Sequence, residues 1–167
     1  MVLDSSPALL PAPSPVIEKP PEEKRNYFGD FKPPLANWII TSAFGIRDDV
    51  WGGPDEDFHK GVDLVSPKKN AEVLASADGV VLVHWLPPGT VRGSKIFKGH
   101  PTYGAMITVA HENGVYTLYA HMSKTFVHEG QMVKAGDVLG IVGATGKATG
   151  PHLHFEIWFD PMQFCFN

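Results

Sequence analysis

A chain of 167 residues, 43% of them hydrophobic, can form one domain whose core needs neither disulfides nor metal in order to fold. The net charge of −4 and the lack of a Lys/Arg block argue against nucleic acid as a partner. Cys165 is the only cysteine, which excludes an intrachain disulfide framework and a cysteine-rich zinc site. The sequence has no apolar run near the ~20 residues that span a bilayer, and residues 1–17 do not resemble a secretory signal.

The N-terminal fifth of the chain is rich in proline. Residues 1–34 contain eight of the chain's 15 prolines. Proline lacks a backbone donor and fixes φ, so such a segment cannot form a helix or a central strand. We therefore expect an extended linker or strap over residues 1–34 and a folded domain over residues 35–167. A tether is favoured over a strap that crosses and blocks a binding groove.

The rest of the chain carries β signals. Six short runs are rich in Val, Ile, Tyr, Phe and Trp, and no window of ten or more residues shows a helical period. Asn113-Gly114 lies between two of these runs and predicts a hairpin. The sequence therefore predicts an antiparallel, largely all-β domain. The six runs are Trp38–Phe44, Gly79–Leu86, Ala105–Ala110, Val115–Ala120, Val138–Val142 and Leu153–Phe159.

Residues 86–104 are expected to form a long loop between two strands. Long loops on a rigid sheet are often functional, although a plain surface excursion is as good an interpretation. Arg92, Lys95 and Lys98 lie on this segment and could contact acidic groups, but solvated surface charge is the simpler explanation.

Two short motifs carry metal-ligand residue types. In HLH, His152 and His154 are two residues apart, which places both on one face of a strand with about 6.6 Å between Cα atoms. In HKGVD, His59 and Asp63 are four apart, or about 13 Å in a straight strand. Zinc bonds are only about 2.0–2.2 Å long, so this segment must bend, and Gly61 permits a bend.

Each motif also has a simpler explanation. HLH could be two histidines on a polar face, and HKGVD could be a turn in which Asp63 accepts backbone hydrogen bonds. Their co-occurrence with a third histidine-containing motif, YAHMS with His121, favours a metal site. The remaining histidines are interpreted as surface residues or as core residues with satisfied hydrogen bonds; they are His84, His100, His111 and His128.

Several stretches in a fixed order resemble one known family. The chain resembles the lysostaphin-type (LytM-type) zinc peptidases, which cut the peptide cross-bridges of bacterial peptidoglycan, over roughly residues 38–161. The matching stretches are TSAFGIR (41–47), FHKGVDL (58–64), ASADGVV (75–81), YAHMS (119–123), VHEGQMVKAGDVLGIVGATGKATGPHLHFEIW (127–158) and DP (160–161).

The resemblance implies a site and a mechanism. Residue by residue, it implies that His59, Asp63 and His154 bind zinc, and that His121 and His152 face the fourth zinc position without binding directly. Three protein ligands leave one position open, which is typical of catalytic zinc. One of the two free histidines would accept a proton from water, and the other would assist the oxyanion or the leaving amine. The residues leave open which of them does which.

The resemblance also implies partners and a location. We expect a peptidoglycan peptide as substrate, no nucleic acid, a monomer, and a periplasmic or extracellular workplace, with this chain as a piece of a longer protein or with a separate targeting partner. One alternative is a non-catalytic relative that binds the wall or activates another hydrolase, although such proteins typically lose ligands. A second is a biotinyl or lipoyl carrier, but Lys134 has Val133 and Ala135 beside it rather than Met or Asp, and we expect no hairpin turn there.

Overall fold

The computed structural model describes residues 31–47, 57–92 and 94–159. These residues are almost entirely β-structure and contain no α-helix, only a 3-10 turn at Glu112–Gly114. The strands are β1 Ile39–Ser42, β2 Gly45–Arg47, β3 Asp57–His59, β4 Val62–Val65, β5 Glu72–Leu74, β6 Gly79–Trp85, β7 Val91–Arg92, β8 Lys95–Ile96, β9 Ala105–Ala110, β10 Tyr116–Met122, β11 Lys124–Thr125, β12 Met132–Val133, β13 Val138–Ile141 and β14 Leu153–Trp158.

The strands form one large sheet and three small ones, and every strand pair is antiparallel. The large sheet has the order β1-β4-β14-β10-β9-β6-β12, and a three-stranded sheet has the order β11-β13-β5. β2 pairs with β3, and β7 pairs with β8. The predicted all-β, antiparallel fold is confirmed. In the described part of the chain, no helix is long and apolar enough to cross a membrane.

Apolar side chains cover both faces of the central strands. The main core lies where the three-stranded sheet packs on the large sheet and includes Val73, Leu139, Ile107 and Tyr119. A smaller cluster on the opposite face contains Met106, Leu118 and Ala120, with Tyr103 and Val83 packed against it. Because both faces are covered, β9 and β10 are buried at nearly every position rather than at alternate ones.

The predicted strands occur with shifted ends. The predicted run Trp38–Phe44 is divided, because β1 ends at Ser42 and β2 begins at Gly45. The hairpin at Asn113-Gly114 is present, but residues 111–115 make a longer connection that contains the 3-10 turn.

Residues 86–104 are not a plain loop, since they carry the small β7–β8 hairpin. A turn begins at Lys134, because the Asp137 amide donates to the Lys134 carbonyl over 2.9 Å, but it is not a hairpin turn, since β12 and β13 on its two sides pair with other strands.

The last residues of the proline-rich segment lie along β5. The Lys32 amide donates to the Ser76 carbonyl (2.7 Å), the Leu74 amide donates to the Pro34 carbonyl (2.8 Å), and Leu35 is buried. The Phe31 ring contacts the ring of His111 with the centroids 5.2 Å apart. His111 directly follows β9 and precedes the 3-10 turn that leads to β10. The linker boundary stays a prediction, and residues 1–30 and Cys165 lie outside the described residues.

Candidate metal centre

Neighbouring strands place Asp63 and His154 side by side. In the registers of β4, β14 and β10, Asp63 pairs with His154, and His154 pairs with Ala120. Residues directly opposite each other in antiparallel strands project from the same face of the sheet. The Asp63 and His154 side chains therefore lie on the face of the large sheet that carries the smaller apolar cluster, to which Ala120 belongs. Two predicted ligands from segments 91 residues apart are thus brought together by strand register alone.

His59 reaches this position because the chain bends between β3 and β4. β3 pairs with β2 outside the large sheet, whereas β4 lies within it. The predicted bend at Gly61 is present, but its reason is close packing rather than an unusual φ angle. A Cβ atom at Gly61 would collide with the carbonyl oxygen of Phe155 and lie 2.7 Å from Cγ of Glu156. Gly61 therefore lets the bend press against β14.

The three predicted ligand atoms converge on one point. His59 Nε2 is 3.1 Å from Asp63 Oδ1 and 3.0 Å from His154 Nδ1, and the latter two atoms are 2.8 Å apart. A tetrahedral ion with bonds of about 2.0–2.2 Å has ligand atoms about 3.3–3.6 Å apart. A small outward movement of the three side chains therefore accommodates one zinc-sized ion. Among the described residues, these three form a group of His and Asp side chains that could hold a metal ion.

In both His59 and His154, the ring nitrogen that points away from the cluster donates a hydrogen bond. This leaves the ring nitrogen that faces the cluster as an acceptor. His59 Nδ1 is 2.7 Å from the Ala43 carbonyl oxygen, which can only accept, so Nδ1 carries the proton. His154 Nε2 donates in the same way to Glu156 Oε1 over 2.7 Å. When both rings are neutral, His59 Nε2, His154 Nδ1 and Asp63 Oδ1 therefore face one another with lone pairs. A proton on His154 Nδ1, donated to Asp63, or a metal ion between the three atoms relieves this repulsion, and hydrogen bonds from the ring nitrogens that point away from the cluster orient metal-binding histidines in the same way.

The charges around the cluster also favour a cation. Burial opposes ionisation of Asp63, but the hydrogen bond with His154 and the neighbouring histidines leave its pKa below the ordinary value. Burial likewise lowers the pKa of His154, yet hydrogen bonds with Asp63 and Glu156 outweigh it and raise the pKa. Two carboxyl groups thus flank one imidazole. The field at this ring stabilises positive charge, which a bound metal ion supplies.

His121 points at the cluster because of a local distortion in β10. In a regular strand its side chain would face away from the side used by Ala120. A bulge between Tyr119 and Met122 and a φ of 62° at His121 change that direction. His121 Nδ1 donates to the Thr145 carbonyl over 2.7 Å, which leaves Nε2 with a lone pair. Burial lowers the pKa of His121 to about 4, so the ring is neutral at pH 7.

His152 stands beside His121 at the same site. Their ring centroids are 4.7 Å apart. His152 Nδ1 donates to the Gly150 carbonyl over 2.8 Å, and its Nε2 lies 3.6 Å from Asp63 Oδ1. The structure thus brings together all five residues that the sequence predicted for the site, three as a converging set and two beside it. Which chemical role each one plays remains a prediction.

Other polar residues at the site were not anticipated from the sequence. Arg47 Nη1 lies 3.1 Å from Ser42 Oγ and 3.8 Å from Asp63 Oδ2. Glu156 Oε1 accepts the hydrogen bond from His154 Nε2, and the Tyr103 hydroxyl donates to the same oxygen over 2.9 Å. Glu156 could have been found, because it follows His154 by two residues and so shares its strand face. No sequence signal identified Tyr103.

The four histidines interpreted as ordinary do not join this cluster. His84 is half-buried rather than exposed, and its Nε2 is 2.7 Å from Thr125 Oγ1. His100 Nδ1 accepts backbone hydrogen bonds from residues 102 and 103, and His111 bridges the Asp78 carbonyl and Thr117. His128 is exposed and contacts its neighbour's carbonyl. Each has a structural partner, which agrees with the simple interpretation.

The sequence model of peptidase family M23 matches residues 57–164, and this range includes all five site residues. The chain belongs to peptidase family M23. It is 40% identical over 127 residues to the DD-carboxypeptidase/endopeptidase Mpg of Neisseria meningitidis, an alignment that covers 74% of this chain and 25% of that protein. This chain thus spans about a quarter of the length of the first curated relatives it matches.

Solved structures of other peptidases share the fold. A zinc-containing peptidase from Vibrio cholerae superposes with a TM-score of 0.63 at 32% identity, covering 77% of this chain and 36% of that one. The catalytic domain of lysostaphin from Staphylococcus simulans gives a TM-score of 0.59 at 26% identity, covering 76% of this chain and 91% of that domain. Family membership confirms the resemblance found in the sequence, the metallopeptidase class and zinc as the expected metal.

Proposed function

We propose that this M23 domain is a zinc-dependent endopeptidase that hydrolyses peptide cross-links or stem peptides of bacterial peptidoglycan. The observation that carries the proposal is the convergence of His59 Nε2, Asp63 Oδ1 and His154 Nδ1 within 3.1 Å of one another. The printed names of the relatives support the substrate class, since they include DD-carboxypeptidase/endopeptidase Mpg and the peptidoglycan DD-endopeptidase ShyB of Vibrio cholerae.

The three converging side chains would hold the metal and leave a fourth position open. When bound, zinc supplies Lewis acidity towards water and the scissile carbonyl. One carboxylate and two neutral imidazoles leave the ion with net positive charge, which suits an oxyanion. The two histidines of this set are buried, with His59 only 4% exposed and His154 only 6% exposed, so their geometry is held by packing.

His121 and His152 would move the protons. Each donates its Nδ1 proton to a backbone carbonyl, of Thr145 and Gly150 respectively, and so keeps Nε2 as the atom available to the reaction. One Nε2 would accept the proton of the attacking water. The other ring would need a proton on Nε2 in order to hydrogen-bond the developing oxyanion or to protonate the leaving amine, and the proton taken from the water is the available source. Because the two rings are held in the same manner, the assignment between them stays open.

Substrate, place of action and partners follow from the same proposal. Peptidoglycan chemistry places the enzyme in the periplasm or outside the cell, and the greater length of the relatives suggests a longer parent protein or a targeting partner. The route of residues 31–35 supports a tether rather than a blocking strap. Phe31 contacts His111, near the end of β10 that is remote from His121.

Digestion of purified sacculi tests the proposal. We expect cross-linked fragments to be cleaved by the zinc-loaded protein and preserved when a chelator is present, with the released products identified by mass spectrometry. Asp63→Ala and His154→Ala should lose zinc and activity together, whereas exposed His128→Ala should change neither. Full zinc occupancy in the wild type without any cleavage of several wall types would contradict the proposal and favour a non-catalytic wall-binding protein.

A further inference from the structure

We propose that Glu156, held by Tyr103, is a positioning residue that sets the zinc affinity of this site through His154. The inference rests on the proposed function only in taking His154 as a metal ligand. The observation behind it is that two donors share one buried carboxylate oxygen. His154 Nε2 and the Tyr103 hydroxyl both donate to Glu156 Oε1, over 2.7 Å and 2.9 Å.

The surroundings of Glu156 indicate no role other than its hydrogen bonds with His154 and Tyr103. The residue is 1% exposed, and its Oε2 has no hydrogen-bond partner among the described residues. A buried acidic side chain with an unpartnered oxygen costs stability unless something nearby compensates it. The compensation available here is His154 together with a cation bound on the other side of its ring.

Glu156 acts on the metal through the geometry of the imidazole. Its hydrogen bond keeps the proton of the neutral His154 ring on Nε2, so that Nδ1 of this ring presents a lone pair to His59 and Asp63. It also increases the basicity of the ring, which strengthens a metal–nitrogen bond. Without this partner the proton could move to Nδ1, and that tautomer cannot bind a metal at the converging point.

Packing prevents Glu156 from taking another conformation. A Cβ atom at Gly61 would lie only 2.7 Å from its Cγ, so the backbone of the bend closes one side. Tyr103 closes another side, with its ring centroid 5.7 Å from that of His154. Burial and the neighbouring Glu156 raise the pKa of Tyr103, so its hydroxyl remains a donor. Tyr103 lies at the end of the 86–104 segment and thereby connects that segment with a metal ligand.

Zinc titration of variants tests the proposal. Glu156→Gln keeps the shape and an acceptor oxygen but removes the charge, and we expect zinc to bind about 10–100-fold more weakly in competition with a chelator. Tyr103→Phe should weaken binding less, about threefold to tenfold, because the hydrogen bond between Glu156 and His154 remains. The melting temperature of the metal-free Glu156→Gln protein should not fall, because a buried charge has been removed.

A matched control separates positioning from general damage to the core. Thr108 is fully buried, its Oγ1 has no partner among the described residues, and it lies in the same cross-strand row as Glu156 through Leu118. Thr108→Val should therefore leave zinc affinity unchanged. NMR of 15N-labelled histidine should show one Nε2-protonated tautomer of His154 in the metal-free wild type at high pH and a mixture in Glu156→Leu.

The outcomes distinguish this proposal from the proposed function. Zinc affinity within threefold of wild type in Glu156→Gln, or an equal loss in Thr108→Val, would overturn the positioning role. If His154→Ala also keeps full zinc affinity, the metal ligand set itself is wrong. If His154→Ala loses zinc while Glu156→Gln retains it, only the role of Glu156 fails.

Discussion

The imidazole of His121 donates its Nδ1 proton to the backbone carbonyl of Thr145, 2.7 Å away. Thr145 is itself held on two sides, because its hydroxyl donates to the Met122 carbonyl (2.8 Å) and accepts from the Ala105 amide (2.9 Å). The threonine thus connects β9, the bulge in β10 and the loop before β14. The direction of the His121 ring depends on a side chain that does not touch the metal cluster.

We expect Thr145→Val to lower kcat about tenfold or more with little change in zinc content. Valine keeps the shape of threonine but loses both hydrogen bonds, so the carbonyl that orients His121 is no longer fixed. Tenfold in rate corresponds to about 1.4 kcal/mol of barrier. Thr145→Ser retains the hydroxyl and should retain most of the rate. Equal kcat values for the two variants, measured on a soluble cross-linked peptide, would argue against this role.

His121→Asn should keep zinc and lose turnover. The loss expected for a missing general acid or base is about 10²–10⁴-fold. Zinc content by atomic absorption, measured beside cleavage rates, distinguishes this residue from His59, whose loss should remove the metal. Release of zinc from His121→Asn would show that the residue is a ligand and that the proposed roles are wrong.

Gly61→Ala should destabilise the fold and weaken zinc binding together. The added methyl group collides with Phe155 and Glu156, and a clash against backbone cannot be relieved by moving one side chain. Overpacking of this kind costs about 1–3 kcal/mol. Gly150→Ala is the matched control, since nothing lies within 4 Å of a Cβ atom there. Urea denaturation of the two variants provides the comparison, and equal midpoints would contradict the packing argument.

Stability should fall as the pH drops below about 6.5, in part because of His111. Burial lowers its pKa in the folded state, where Nδ1 donates to the Asp78 carbonyl and Nε2 accepts from the Thr117 hydroxyl. The unfolded chain binds more protons below the ordinary histidine pKa, so the stability contributed by His111 is complete above that pKa and lost on acidification.

Thermal unfolding of the metal-free protein at pH 7.5 and pH 5.5 measures this effect. His111→Asn keeps a donor for the Asp78 carbonyl and cannot titrate, so its loss of melting temperature between the two pH values should be smaller. Burial also lowers the pKa of His84 and of His100, so some pH dependence will remain in the variant. An unchanged or larger difference would rule out His111 as a contributor.

Much of the site could be predicted because its parts are local in sequence. HLH needs only strand alternation to place His152 and His154 on one face, and His59 and Asp63 are joined through a bend of two residues, Lys60 and Gly61. The all-β fold follows from short β-rich runs between glycines. Such features are encoded within a few residues, so a pattern can reveal them.

The remaining parts depend on contacts between distant segments. The backbone of His121, with its φ of 62°, is bound to two distant loops, because its amide donates to the Tyr103 carbonyl (2.8 Å) and its carbonyl accepts from the Thr145 amide (3.3 Å). Tyr103 meets Glu156 across 53 residues. The break between β1 and β2 frees the Ala43 carbonyl for His59, which strand propensity alone does not predict.

The backbone of His121 also determines how a descendant of this protein could lose its activity. A positive φ is inexpensive for glycine and tolerable for asparagine, aspartate and histidine, but costly for most other residues. A lineage that abandons catalysis yet retains the fold should therefore replace His121 with glycine or asparagine more readily than with alanine or leucine. Such a replacement, with the bulge in β10 still present, would mark a homologue that descended from a hydrolase and now serves only to bind.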